Sequence, residues 1–228
     1  MSTEITAYEH RYLGMLDDLK GAQGINVLHH KSGRVVTAYG EAPEVFDKLS
    51  RRNYVTLDTA SPDHFLRFRN LACLWETTAP HPGLTGEFGL SHLYASISGG
   101  PLDIAEQFSS SDDRELASEM RLIDDHPEGG GGSFAAMRVR GNANPPEIWY
   151  FTVAHGFKQL DIDYNKYLDT LLITKGTYGW QYLFADISLR DEEFLHARKR
   201  LTTMLIVLPD LFPDHDYQHL RELLEQRL

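Results

Sequence analysis

Apolar positions recur along this chain with two periods, one helical and one alternating, and the switches between them mark out its elements. Ile5, Tyr8, Tyr12, Met15, Leu16 and Leu19 share one helical face, which predicts an amphipathic helix over residues 3–20 stopping at Lys20-Gly21. Ile25 to His30 and Arg34 to Tyr39 are strand-like and, joined by Lys31-Ser32-Gly33, predict a hairpin. Pro43 opens a short helix through Val45, Phe46 and Leu49. Ser61-Pro62-Asp63 starts another, with Phe65, Phe68, Leu71, Ala72 and Trp75 spaced for a single buried face. Residues 76–101 read as loop, because Pro80, Pro82, Gly83, Gly86, Gly89 and Gly99-Gly100 break regular elements. A composition boundary near residue 80 divides the chain into 1–80, a set of helices and a hairpin, and 81–228, the main domain. The first part is either a small subdomain or helices packed on the main sheet.

Beyond that boundary, Leu102 to Phe108 reads as a short helix, and the Ser109–Asp113 cluster as the cap of an exposed helix over Arg114–Ile123. The tetraglycine Gly129–Gly132 is a flexible turn into a strand, Phe134–Val139. Arg140–Asn144 is too short for a parallel crossover, so that strand pairs antiparallel with the next. The chain is organised around Pro145–Asp186. Pro145-Pro146 force an extended backbone, and Ile148–Val153 is a β-branched and aromatic run with the signature of a buried strand. A loop follows, then a helix capped by Asp161, with Asp163 in its first turn and a stripe of Tyr164, Tyr167, Leu168, Leu171 and Leu172. Lys175 sits at the negative helix end, Gly176 supplies a left-handed cap, and Trp180, Tyr182, Leu183 and Phe184 form a compact apolar block. A long helix from Asp191 to about Leu208 ends at Pro209 and Pro213, and a last one runs from about Asp214 to Leu228.

Composition narrows the chemistry. The 228 residues are 42% hydrophobic and 24% charged, enough for a sizeable core. With 22 Lys and Arg against 33 Asp and Glu the formal net charge is −11. That disfavours nucleic acid and anionic membrane, and it is compatible with a basic protein partner. Asp112, Asp113, Glu115, Glu119, Asp124, Asp125 and Glu128 form an acidic band, read as a solvated face or as the partner-binding surface. The single cysteine, Cys73, excludes an intramolecular disulfide and Cys-rich zinc sites. No secretory signal, no spanning segment, no P-loop and no G-x-S-x-G appears, so the protein is expected in the cytoplasm without cofactor, metal or catalytic residue. His215 and His219 are four apart on an expected helix but lack the glutamate of the zinc-protease motif. His29-His30 point to opposite faces of a strand, and His155 ends the central strand.

Three groups of residues carry a family resemblance. They are Pro145-Pro146-Glu147 before the aromatic strand, Asp161-Ile162-Asp163-Tyr164 with Tyr167-Leu168, and Lys175-Gly176 followed by Gly179-Trp180-Gln181-Tyr182-Leu183-Phe184. Together, over roughly residues 100–188, they resemble the SMI1/KNR4 (SUKH) superfamily, in its bacterial immunity-protein type. The resemblance implies an α+β fold, a mostly antiparallel sheet covered by helices, here with N-terminal and C-terminal helical additions. It also implies an immunity protein that binds and neutralises a cognate toxin, a secreted effector such as a nuclease exchanged between competing bacteria, by surface complementarity. An acidic inhibitor is steered to the basic cleft that a nuclease needs. The alternative is a small-molecule-binding or enzymatic α+β domain with a pocket near the Trp149–His155 strand end and the Gly129–Gly132 loop. A third reading is a regulatory scaffold without a toxin.

Overall fold

The structure is a computed structural model that describes residues 4–53, 55–57, 64–108, 110–129, 131–140 and 146–228. The expected helix start at Ser61-Pro62-Asp63, Ser109, Gly130, most of the Arg140–Asn144 turn and Pro145 lie outside the described residues. The described elements, in order, are α1 (Ala7–Gly21), β1 (Ile25–Ser32), α2 (Ala42–Asn53), β2 (Asn70–Thr77), β3 (Thr85–Ser91), α3 (Leu93–Ser98), α4 (Ser111–Glu119), β4 (Met120–Asp125), β5 (Phe134–Arg138), β6 (Glu147–Thr152), β7 (Gly156–Leu160), α5 (Tyr164–Thr174), α6 (Leu195–Leu211) and α7 (Gln218–Arg227). The seven strands make one sheet in sequence order, each antiparallel to the next. The α+β class with an antiparallel sheet and covering helices is therefore as expected. The sheet runs on without a break across residue 80, since β2 pairs β3 from Asn70↔Ser91 to Glu76↔Thr85.

Alternation sorts the side chains onto the two faces. Ala135, Met137, Ile148 and Tyr150 join the main core with Leu71, Cys73 and Trp75, under helical residues such as Tyr12, Leu168, Leu171, Leu201 and Leu224. Phe134, Ala136, Trp149 and Phe151 face the other way, into a smaller cluster with Leu102, Ile104 and Leu116. Helix α4 therefore covers that second face.

Several expectations are corrected. The 65–75 stretch is not a helix: Leu71, Cys73, Trp75 and Thr77 are buried in alternation with half-buried neighbours in β2. A short apolar run suits either period, and here pairing on both sides decides it. Strand β1 pairs with β2 and not with residues 34–39, of which Val35 makes only an isolated bridge to Phe68. Residues 76–101 hold β3 and α3. Glycines 86 and 89 mark close approach inside a strand, because a Cβ at Gly86 would lie 2.6 Å from the Trp75 indole and one at Gly89 2.6 Å from the Asp125 carbonyl oxygen. The helix expected over 114–123 ends at Glu119, where β4 begins. The loop after the central strand contains β7, in a hairpin with β6 from Thr152↔Gly156 to Ile148↔Leu160. Asp163, not Asp161, caps α5, accepting the Lys166 N–H at 2.7 Å. Helix α6 passes through Pro209 to Leu211, and α7 begins at Gln218.

Candidate functional site

The polar side chains converge where the sheet forks. Strands β3 and β4 share one registered pair, Leu90↔Asp124. At the other end of β3 the chain following α5 takes the place of β4. There the Glu87 N–H donates to the Gly176 carbonyl (2.9 Å), the Tyr178 N–H donates to the Thr85 carbonyl (3.2 Å), and Thr177 bridges Gly86. Gly176 permits this approach: its φ is 72°, and a Cβ there would sit 2.8 Å from the Glu87 carbonyl oxygen.

Inside the fork, buried polar groups bind one another, as low-dielectric surroundings require. The Glu87 carboxylate accepts the N–H of Glu128 (2.7 Å), the N–H of Gly129 (2.9 Å) and the Tyr178 hydroxyl (2.5 Å), which holds the β4–β5 loop. Burial, then the Glu87 bond, pushes the Tyr178 hydroxyl well above the usual range. Asp124 accepts the Gly89 N–H (2.7 Å) and the Tyr167 hydroxyl (2.7 Å). Tyr167 is likewise raised, first by burial and then by the Asp124 charge. His126 Nδ1 lies 2.8 Å from Ser133 Oγ, and Tyr150 also bonds Ser133. Asp124, His126 and Ser133 thus stand in the order of a nucleophilic relay. Yet His126 Nε2 is 3.7 Å from Asp124 Oδ2, past hydrogen-bond length, so no bond connects them for proton transfer.

A hollow of about 430 Å³ opens at the mouth of this fork, lined by Gly129, Gly131, Ser133, Tyr150, His155, Tyr178, Tyr182, His196 and Arg200 among others. It lies where the pocket of the alternative reading was expected. His155 is tied in: its Nε2 donates to the Glu193 carbonyl (3.1 Å), and its Nδ1 accepts the Tyr182 hydroxyl (2.6 Å). Arg200 lies over the Tyr178 ring at 5.7 Å. The hollow offers hydroxyl, imidazole and guanidinium groups to a polar ligand. Glu87, Ser133, Tyr178, Tyr182 and Arg200 carry no local sequence signal, because four separate segments bring them together.

The acidic band does not form one surface. Asp112, Asp113 and Glu115 are exposed on α4, after the Ser110 cap. Glu119 is half-buried and bonded to Arg138 at 2.6 Å. Asp124 was expected at the surface but is fully buried, its carboxylate spent on the fork. Asp125 is half-buried, its carboxyl raised above the usual range by burial. Glu128 is exposed, at the far end of β4 from α4, a separation of about 17 Å by strand rise. Asp103 and Glu106, exposed just before α4, join Asp112, Asp113 and Glu115 instead.

The remaining candidates are scattered. His215 precedes α7 and lies 3.0 Å from Lys175 Nζ, whereas His219 is on the helix. Cys73 is buried in β2, its thiol pushed up to about 12 by burial. Among the described residues no group of three or more His, Cys, Asp or Glu is placed to hold a metal, and no helix is long and apolar enough to cross a membrane. No protein-family model matches the chain, and neither does any curated protein or solved structure.

Proposed function

We propose that this chain is an immunity protein of the SMI1/KNR4 type, which neutralises a cognate bacterial toxin by binding it and performs no chemistry of its own. One observation carries the reading beyond the sequence resemblance. Asp103, Glu106, Asp112, Asp113 and Glu115 are exposed on and before α4, and among the described residues none of them forms an ion pair. Arg114 lies among them and leaves the patch strongly negative. Such a patch accelerates encounter with a basic partner and selects against acidic ones. The partner it fits is a basic effector, a nuclease among them, met in the cytoplasm.

The test has two stages. The tagged chain is used to capture its partner from the source organism, and co-expression is checked for relief of that partner's toxicity. Association is then measured by stopped flow for Asp112→Lys/Asp113→Lys/Glu115→Lys. Association at low salt is expected to slow by about tenfold or more, with the difference shrinking at high salt. Unchanged association in that variant sinks the α4 surface. Capture of no toxic protein by folded bait favours the second reading, a small-molecule-binding or enzymatic domain. That reading rests on the 430 Å³ hollow at the fork and is tested by thermal shift against polar metabolites.

A further inference from the structure

A second polar grouping lies away from both the fork and α4. Arg34 follows β1, Arg69 precedes β2 and His92 follows β3. Backbone bonds tie them in a row: the Arg69 N–H donates to the Arg34 carbonyl (3.0 Å) and the His92 N–H to the Arg69 carbonyl (3.4 Å). The register agrees, since Val35 bridges Phe68 and Asn70 pairs Ser91, which sets Arg34 opposite Arg69 and Arg69 opposite His92. Like charges directly opposed across antiparallel strands, with Cβ atoms about 5 Å apart, repel. Both arginines are exposed, and among the described residues neither side chain has a hydrogen-bond or ion-pair partner. Other arginines of this chain do find carboxylates, among them Arg67 with Glu9 and Glu41, and Arg138 with Glu119 and Glu147.

His92 lines a hollow beside them. Its ring is 1% exposed and packs against Tyr39 (4.7 Å) and Phe65 (5.3 Å). Nδ1 accepts the Tyr94 N–H at 3.2 Å, so the neutral ring carries its proton on Nε2, and that buried atom has no partner. Burial keeps the ring neutral, holding its pKa down at about 4. All three residues line one hollow of about 500 Å³, which no carboxylate lines and whose other walls include Val36, Tyr39 and Leu122.

We infer that this hollow binds a small organic phosphate, with the phosphate group held by Arg34 and Arg69 and the organic part resting on Tyr39, Val36 and Leu122. Two opposed guanidinium forks suit a tetrahedral dianion, whereas a single carboxylate occupies only one fork. The volume is that of a small-molecule site, and the net charge of −11 opposes a nucleic-acid polyanion. The inference does not depend on the toxin reading.

Calorimetric titration of the full chain with AMP, adenosine and inorganic phosphate tests it. AMP is expected to bind more tightly than phosphate, and adenosine not detectably. Arg34→Gln/Arg69→Gln is expected to weaken AMP at least about tenfold. Without ligand that variant is expected to melt no lower than the parent, because it removes a repulsion, so lost binding is separated from lost folding. The single Arg34→Gln variant is expected to fall in between. Absence of heat from both AMP and phosphate at millimolar concentration overturns the inference, as does AMP affinity unchanged in the double variant. Phosphate binding as tightly as AMP overturns the organic contact.

Discussion

Lys175 shows how far a single residue's role depends on its surroundings. It ends α5 with φ 54°, is 1% exposed, and presents its ammonium to His215 Nε2 (3.0 Å) and the Phe212 ring (4.8 Å). Asp18 is 3.8 Å away and itself largely exposed. Burial depresses the Lys175 pKa from 10.5 to about 8, with Asp18 opposing. His215 is also depressed, first by burial and then by the Lys175 charge. Between pH 8 and 10.5 the unfolded chain keeps the lysine proton and the folded one does not, so raising the pH through that window stabilises the fold. Wild type is therefore expected to gain stability on Lys175→Met between pH 7.5 and about 9.5 in urea unfolding, and His215 in the variant to titrate higher by NMR. A stability gap that does not change with pH removes the assignment. The sequence marks Lys175 as a helix-end cation. Its burial is contributed by α1 and the α6–α7 turn, which lie far away in the chain.

Among the elements, α6 shows a local rule met by a distant partner. Pro209 lacks the N–H that would close a bond to the Leu205 carbonyl, so the helix should stop before it. It continues because Arg221 on α7 donates to that carbonyl at 3.3 Å. Arg221→Ala is expected to cost about 1 kcal/mol in the parent and less in Pro209→Ala, where the helix recovers its own N–H. A double-mutant cycle by chemical unfolding measures the coupling, and simple additivity refutes the role given to Arg221. The same scale explains which elements were legible. Helices α1 and α5 were, because each repeats an apolar stripe over several turns within bounds set by local caps. Strand β2 was not, since Leu71–Trp75 satisfies both periods. Strand β3 was hidden because Gly86 and Gly89 serve the Trp75 ring and the Asp125 backbone and do not break the strand.

For the whole molecule, the larger apolar cluster reaches from Tyr8 on α1 to Leu224 on α7, and the sheet is continuous from β1 to β7. A composition boundary near residue 80 therefore need not be a boundary of cooperativity. Calorimetric unfolding is expected to show one transition with equal calorimetric and van't Hoff enthalpies. Two transitions would mean that residues before about 80 unfold separately, as a subdomain.

What local chemistry alone specified was the helices with sustained stripes, the β5–β6 pairing across a short turn, and the acidity of the stretch that became α4. Each of these follows from a few neighbouring residues, whereas the α+β class was an implication of the family resemblance. Folding decided the strand order, the fork between β3 and β4, and which charges reach water. Asp112 and Asp124 look alike in the sequence, yet one is exposed on α4 and the other is buried between Gly89 and Tyr167. Arg34, Arg69 and His92 were unremarked for the same reason. Burial and convergence are properties of segments that meet in space, and no local period records them.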